Sequence, residues 1–342
     1  MPALYVTEPG AVLRYRTGSL IVTRDEKTAA PGGERTARQC LIEVEPHHVE
    51  TIGLVGRTHM TTRATRLCLD QGIPVFWMSR NGRLLGRLVP ELSRTADLRL
   101  RQYRMFEDTD AALALGRLFI EAKIANAAAL ISALRSNRPG IREFGTVIGE
   151  LETLRSRAAS ADDRGTLMGV EGDAARRYFH VLGKGFSGPI GFSGRQKRPP
   201  PDPANALLSF GYVLLANLIA SLLEARGFDP YLGMLHTVRS GRPSLALDMM
   251  EEFRHPVVDR FVLRTCNRRQ FMPENFGKDK GKGVRLTKDG LRRYFREWEA
   301  YLDAPMAGME SGQSILRTVQ VQADRLAAHV RGTECYQPLR IS

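Results

Sequence analysis

The sequence predicts an α+β multidomain protein, with a small N-terminal β-rich domain followed by a larger all-α-helical domain. Three observations carry this reading. The chain has 342 residues, long for a single hydrophobic core. Its first ninety or so residues are mostly short β-rich runs punctuated by turn residues. From about residue 97 the apolar spacing changes to the helical period. With 43% hydrophobic and 25% charged residues, the composition is that of a folded soluble protein.

The β-rich domain is placed at 1–90. "ALYVTEPGAVLRYRTGSLIVTR" contains strands split by "EPG" and "TGS" turns, and "CLIEVEP" alternates apolar and acidic residues with period two. "VETIGLVG", "IPVFWMS" and "GRLLGRLVP" continue the strands, the last two joined by a hairpin turn at "RNGR". One helix, near "TTRATRLCLDQG", interrupts them and stops at Gly72. The polar connector "ELSRTAD" (91–97) is read as a linker, and 98–342 as the helical domain.

Within that domain a helical run from 97 is stopped by Pro139 and Gly140. Further helices are expected near 142–160, 172–182, 204–227, 244–253, 257–270, 287–302 and 311–331. Two Gly- and Pro-rich or Lys-rich segments resist helix. Gly183–Pro203 carries Lys184, Arg195, Lys197 and Arg198, and Met272–Arg285 carries Lys278, Lys280, Lys282 and Arg285. Each reads either as a solvated connector or as a mobile basic flap that closes over a phosphate backbone.

Net charge is +13 and the pI about 10.0, which favours an anionic partner, nucleic acid first. Cys40, Cys68, Cys266 and Cys335 form no Cys-x-x-Cys pair and suggest no disulfide framework, so a reducing cytoplasm is the expected location. "MPALYVTEPG" has no signal-peptide pattern, and the apolar run Ala206–Ala225 is interrupted by Ser209, Gly211, Asn217 and Ser221, as in a buried helix. "GLRRYFREWEAYL" carries Glu297 and Glu299 and is too short for a membrane-surface helix, so no membrane partner is expected.

Two stretches carry candidate chemistry. In "MGVEGDAARRYF", Glu171 lies between Gly169 and Gly172, just ahead of a run that reads as helix; the glycines are expected to free the backbone there. In "GMLHTVRSGRPSLALDMMEEFRHPVVDR", Ser244 can cap a helix on which Asp248 and Glu251 share a face. The "RSGRP" turn brings the chain back towards His236. His255, four residues after Glu251, is a rival, but Pro256 biases it out of helical geometry. Carboxylates plus one imidazole suit Mn²⁺ or Mg²⁺, and such a site beside a basic surface suits phosphodiester chemistry.

Together these stretches resemble the signature regions of CRISPR-associated protein one, the endonuclease and integrase family of spacer acquisition. "DPANALLSFGYVLLANLIASLLEARGFDPYLGMLH", with Asn205, Ser209 and Tyr212, is also similar, as is the Lys–Asn helix "AKIANAAALI". The similarity runs from the β-rich start to "YQPLR". The resemblance implies a homodimer whose β-rich domain makes dimer and partner contacts. It implies a small CRISPR-associated partner protein and a substrate of double-stranded and branched DNA, whose 3′-hydroxyl attacks a phosphodiester of the repeat array. It implies metal ligands at Glu171, His236 and Glu251 and a further catalytic acid at Asp248. Arg177, Asn205, Arg242 and Arg254 are candidate DNA contacts and Arg176 a further phosphate candidate, the arginines reading otherwise as surface salt bridges. Two rivals are a structure-selective DNA repair nuclease and a non-catalytic DNA-binding scaffold.

Overall fold

A computed structural model describes residues 3–30, 33–79, 84–88, 96–196, 199–279, 281, 283–309 and 312–342, with side chains left aside at 27–30, 33–36 and 279. The expected "RNGR" turn, residues 91–95 of the expected linker, Lys197, Arg198, Lys280 and Lys282 lie outside the described residues. The chain forms two compact units, Met1–Arg94 with Phe295–Asp303, and Thr95–Tyr294 with Ala304–Ser342.

In the first unit, β1 (Ala3–Val6), β5 (Thr51–Val55) and β7 (Val75–Met78) pair in parallel, and β8 (Leu84–Leu88) closes that sheet antiparallel to β7. In the second sheet, β4 (Gly33–Val44), β3 (Ser19–Ala30) and β2 (Val12–Arg16) are antiparallel, with the two-residue β6 (His59–Met60) parallel to β2. Helix α1 (Thr62–Asp70), capped by Thr61, lies between β6 and β7. Leu4, Leu13, Leu20, Ile52, Leu54 and Cys68 meet in this unit's core.

Phe295–Asp303, assigned to the helical domain from the sequence, belongs to this first unit. Phe295 lies 4.9 Å from the Tyr5 ring and is buried, so apolar packing rather than chain order decides its place.

The second unit is mostly helical. Helices α2 (Ala96–Glu107) and α3 (Thr109–Asn137) divide the first helical run at Asp108, whose side chain caps α3. Ala96 and Asp97 open α2 rather than ending a linker. Helix α4 (Arg142–Ala159) precedes α5 (Arg164–Leu182), which starts eight residues earlier than expected because Asp163 accepts from the Thr166 N–H at 2.9 Å. Helix α6 (Pro203–Ala225) is apolar and long enough to cross a membrane, but its side chains are buried within this unit.

After α6 come α7 (Ser244–Met250), a tight 3₁₀ turn (Glu251–Phe253), a wide π turn (Arg254–Asp259) and α8 (Arg260–Asn267). The expected break at Pro256 does not occur. The backbone stays helical, and the wider turn accommodates a residue that has no amide hydrogen to donate.

Part of the expected loop Met272–Arg285 is instead a hairpin, β9 (Phe276–Asp279) with β10 (Gly283–Leu286). Helices α9 (Lys288–Asp303) and α10 (Ile315–Arg331) follow. Ser314 caps α10, and Gly332 ends it at φ 76°.

Candidate active site

Four segments of the helical unit converge. Helix α3 contributes Lys123 and Asn126, α5 contributes Glu171, the loop before α7 contributes His236, and α7 with its two following turns contributes Asp248, Glu251 and Arg254. Glu171 lies inside α5, and the flanking glycines are helical too. They do not release the backbone as expected. A Cβ built on Gly169 or Gly172 meets nothing within 4 Å, so they leave the backbone beside Glu171 bare.

The Asp248 carboxylate is fully buried. Its Oδ2 accepts from the backbone N–H of Met234 at 2.6 Å and of Leu235 at 2.8 Å, and its Oδ1 accepts from the N–H of His236 at 2.9 Å. Gly233 permits this wrapping, since a Cβ there would stand 2.7 Å from Asp248 Oδ2 and 2.7 Å from the Ser244 carbonyl carbon.

Oδ1 also lies 2.6 Å from Nδ1 of the His236 ring. An ionised carboxylate only accepts, so Nδ1 carries the hydrogen and Nε2 is left as the ligating nitrogen. Nε2 is directed at Glu251, 3.8 Å from Oε1.

Glu251 is itself buried and doubly paired. Its Oε2 accepts from Arg254 Nε at 2.8 Å and lies 2.6 Å from Lys123 Nζ. Burial works against its charge, but Arg254, Lys123 and His236 outweigh that and hold the carboxyl well below the usual range. Lys123 also donates to Glu171 Oε1 and so bridges the two acids.

Arg254 is fixed on its other side by Tyr212, whose ring it overlies at 5.0 Å. Arg195 stands over the same ring at 5.3 Å. The Tyr212 hydroxyl donates to Asp259 Oδ1 at 2.5 Å, while Oδ2 accepts from the Tyr178 hydroxyl at 2.8 Å and lies 2.7 Å from Nδ1 of His255. The rival His255 is therefore a core residue, buried against Tyr178.

Of the expected site residues, Glu171, His236, Asp248 and Glu251 are brought together with Arg254. Asn205 is fully buried; its Oδ1 accepts from Arg195 Nη1 and the Gln196 N–H, and its Nδ2 donates to the Gly194 carbonyl and to Asp202. Its side-chain amide is thus occupied inside the fold.

Arg195 is half-buried and ties its loop to Asn205 and to Ser209 Oγ at 3.1 Å. Arg177 pairs with Glu150 at 2.7 Å and Asp173 at 3.1 Å, and exposed Arg176 also pairs with Asp173 at 2.5 Å. Arg242 is half-buried on the loop between His236 and α7.

In the sequence Lys123 is legible only as part of the Lys–Asn helix motif. Its signal was a charged residue in an apolar, Ala-rich helix, which demands a buried partner. A second set was also missed. In the β-rich unit Glu45, His47 and His48 are exposed, with ligand atoms within 4.8 Å of one another and Glu45 Oε2 3.3 Å from His47 Nε2.

The donor set of Glu171, Glu251 and the directed Nε2 of His236 fits a divalent ion, because a cationic group of the chain already lies between its two acids.

A β-rich unit followed by a helical unit bearing two acids and an oriented imidazole defines a class of fold and site to which known proteins can be compared. The family model described as CRISPR associated protein Cas1 matches residues 4–300. The chain is 33% identical over 341 residues to CRISPR-associated endonuclease Cas1 3 of Thermus thermophilus, covering 99% of this chain and 97% of that protein. It is 34% identical over 336 residues to Cas1 1 of the same organism, covering 98% of each. The chain belongs to the Cas1 family.

In fold it is similar to a Cas1 protein from Thermotoga maritima, with TM-score 0.76, 23% identity and 98% of each chain covered. It is also similar to a casposase bound to its integration product, with TM-score 0.81, 21% identity, and 100% and 95% of the two chains covered. The Cas1 fold bears out the expected order of a β-rich region followed by a mostly helical domain.

Proposed function

We propose that this chain is a divalent-metal-dependent DNA endonuclease and integrase of CRISPR spacer acquisition. The carrying observation is the convergence of Glu171, Glu251 and the Asp248-directed Nε2 of His236 in a Cas1 fold. The endonuclease names of the relatives and the integration product held by the casposase support the reaction class.

In the reaction, the oxygen of a DNA 3′-hydroxyl forms a bond to a target phosphorus. The bond from that phosphorus to the target's own 3′-oxygen breaks, and the leaving oxygen takes up a proton. Mn²⁺ or Mg²⁺, held by Glu171, His236 and Glu251, would supply positive charge at the phosphate and acidify the nucleophile.

The chain's own residues do the rest. Asp248 fixes the imidazole, and the Tyr212 ring fixes Arg254, which holds Glu251 in place. Arg242 and Arg254 offer charge to DNA phosphates. With water as the nucleophile, the same site nicks DNA.

The wider assignment follows the family. The β-rich unit makes dimer and partner contacts, the protein is a homodimer, and a small CRISPR-associated protein joins it in the cytoplasm on branched and double-stranded DNA. A solved Cas6-RT-Cas1–Cas2 complex of similar fold supports such a partner.

The test is integration of a short DNA with free 3′-hydroxyl ends into a supercoiled plasmid carrying a repeat, with Mn²⁺ or Mg²⁺ and the partner protein. Wild type, Glu171→Ala and His236→Ala are compared, with DNA binding measured on the same samples. Joining by wild type alone, with binding kept in all three, supports the proposal. Joining by the variants at wild-type rate removes the site and favours a binding scaffold. Cutting without joining favours a repair nuclease.

A further inference from the structure

Lys123 projects from α3 and is only 7% exposed. A buried ammonium is strongly unfavourable without partners. Here it has two, Glu171 Oε1 and, at 2.6 Å, Glu251 Oε2. The oxygens it holds belong to the same two carboxylates read above as metal ligands. Without this cation, two acids would face a shared point as like charges, one of them buried; Arg254 hydrogen-bonds Glu251 and reaches Glu171 only through its longer-range charge.

The two cations on Glu251 differ in their freedom. Arg254 is clamped by its bond to Glu251 and by the Tyr212 ring. Lys123 carries a compact charge on a flexible stem and has no fork that locks a carboxylate. It is the cation that can withdraw.

We propose that Lys123 is a placeholder cation, which neutralises the Glu171–Glu251 pair and competes with the divalent ion for the same carboxylate oxygens, so that loading of the ion displaces it. This rests on the metal-site reading above. It assigns Lys123 a positioning role: it keeps the acids converged before loading and lowers the affinity of the site for the ion. A unit charge a few ångströms away, partly screened, is enough to change a binding constant by about tenfold or more.

The experiment is Mn²⁺ titration of the full chain without DNA, by calorimetry and by electron paramagnetic resonance, on wild type, Lys123→Met, Lys123→Arg and Glu171→Gln. The site is defined as the Mn²⁺ binding lost in Glu171→Gln, which separates it from any ion taken up at the exposed Glu45, His47 and His48. Lys123→Met should bind Mn²⁺ at least about tenfold more tightly than wild type. It should melt lower than wild type in EDTA, and Mn²⁺ should raise its melting temperature by more.

Lys123→Arg keeps the charge and adds a bidentate grip. It should bind Mn²⁺ more weakly than wild type while melting normally in EDTA. It keeps the test decisive if the Met variant does not fold.

Equal or weaker binding by Lys123→Met, or equal or tighter binding by Lys123→Arg, overturns the placeholder role while the Glu171-dependent site stands. If wild type, Lys123→Met and Lys123→Arg show no Glu171-dependent binding, the metal-site reading itself fails and the placeholder role falls with it.

Discussion

Asp248 meets His236 twice through one oxygen, at 2.9 Å from the backbone N–H and 2.6 Å from ring Nδ1. The acid expected to complete the catalytic set is thus turned inward, and its effect reaches the site through the imidazole. Asp248→Asn places an amide NH₂ against N–H donors, and each mispaired buried group costs about 1–3 kcal/mol. DNA binding should survive while strand joining falls roughly 10- to 100-fold, the usual scale for losing an outer partner of a ligand. Joining and binding assays on one preparation check this, and undiminished joining would show that the ring orients without Asp248.

Glycines near the site should split into two groups. Gly233→Ala drives a Cβ to 2.7 Å from Asp248 Oδ2 and should destabilise the fold by about 2–4 kcal/mol. Gly169→Ala and Gly172→Ala meet open space inside α5 and should each stabilise by about 0.5–1 kcal/mol. The same two changes should weaken DNA binding and joining, because they cover the backbone beside Glu171. Urea midpoints and DNA titrations separate the effects, and unchanged DNA affinity would remove the bare backbone from the binding surface.

The segment after α10 is held by a residue one turn along α3 from Lys123. Asn126 Nδ2 donates to the carbonyls of Glu252 at 2.7 Å and Leu339 at 2.9 Å, and its Oδ1 accepts from the Ile341 N–H at 2.9 Å. The Tyr336 hydroxyl donates to Glu252 Oε1 at 2.5 Å. Asn126→Ala should free residues 336–341 from the neighbour of Glu251. Hydrogen exchange should accelerate at the Leu339 and Ile341 amides, with a stability loss of about 2 kcal/mol or more. Unchanged exchange at those amides would mean that Glu252 alone holds the segment.

Much of this was readable in order. Period-two runs marked the strands, and the 3.6-residue spacing marked the helices. Glu171, His236 and Glu251 stood out because acids and an imidazole near turns suggest a shared site.

What escaped was decided by burial. Three-residue spacing treats Asp248 and Glu251 as equals, yet α7 ends at Met250 and the tighter turn separates their roles. Asn205 is a candidate DNA contact from its motif, and nothing in that motif shows that its loop closes over it. Pro256 looked like a stop because the π turn has no sequence signature. The β9–β10 hairpin was hidden by its Gly and Lys content, which suits loops better than strands.

A pH effect on stability should arise in the β-rich unit. Burial pushes the Glu299 carboxyl up to about 7, and the charge of Asp303 on the same helix adds to this. Among the described residues, its Oε1 has no hydrogen-bond partner. The folded pKa lies above the ordinary value of 4.5. Between about 4.5 and about 7 the folded state therefore binds more protons than the unfolded state, and stability falls as pH rises. The contribution is full below the unfolded pKa and is lost as pH passes through the folded one. Glu299→Gln has no such proton to lose. Its melting temperature should gain on that of wild type by a few degrees between pH 5 and pH 8, on the scale of about 2–4 °C per kcal/mol. Thermal melts of both proteins across that range check it, and parallel curves would mean that Glu299 reaches solvent freely enough to ionise at its ordinary value.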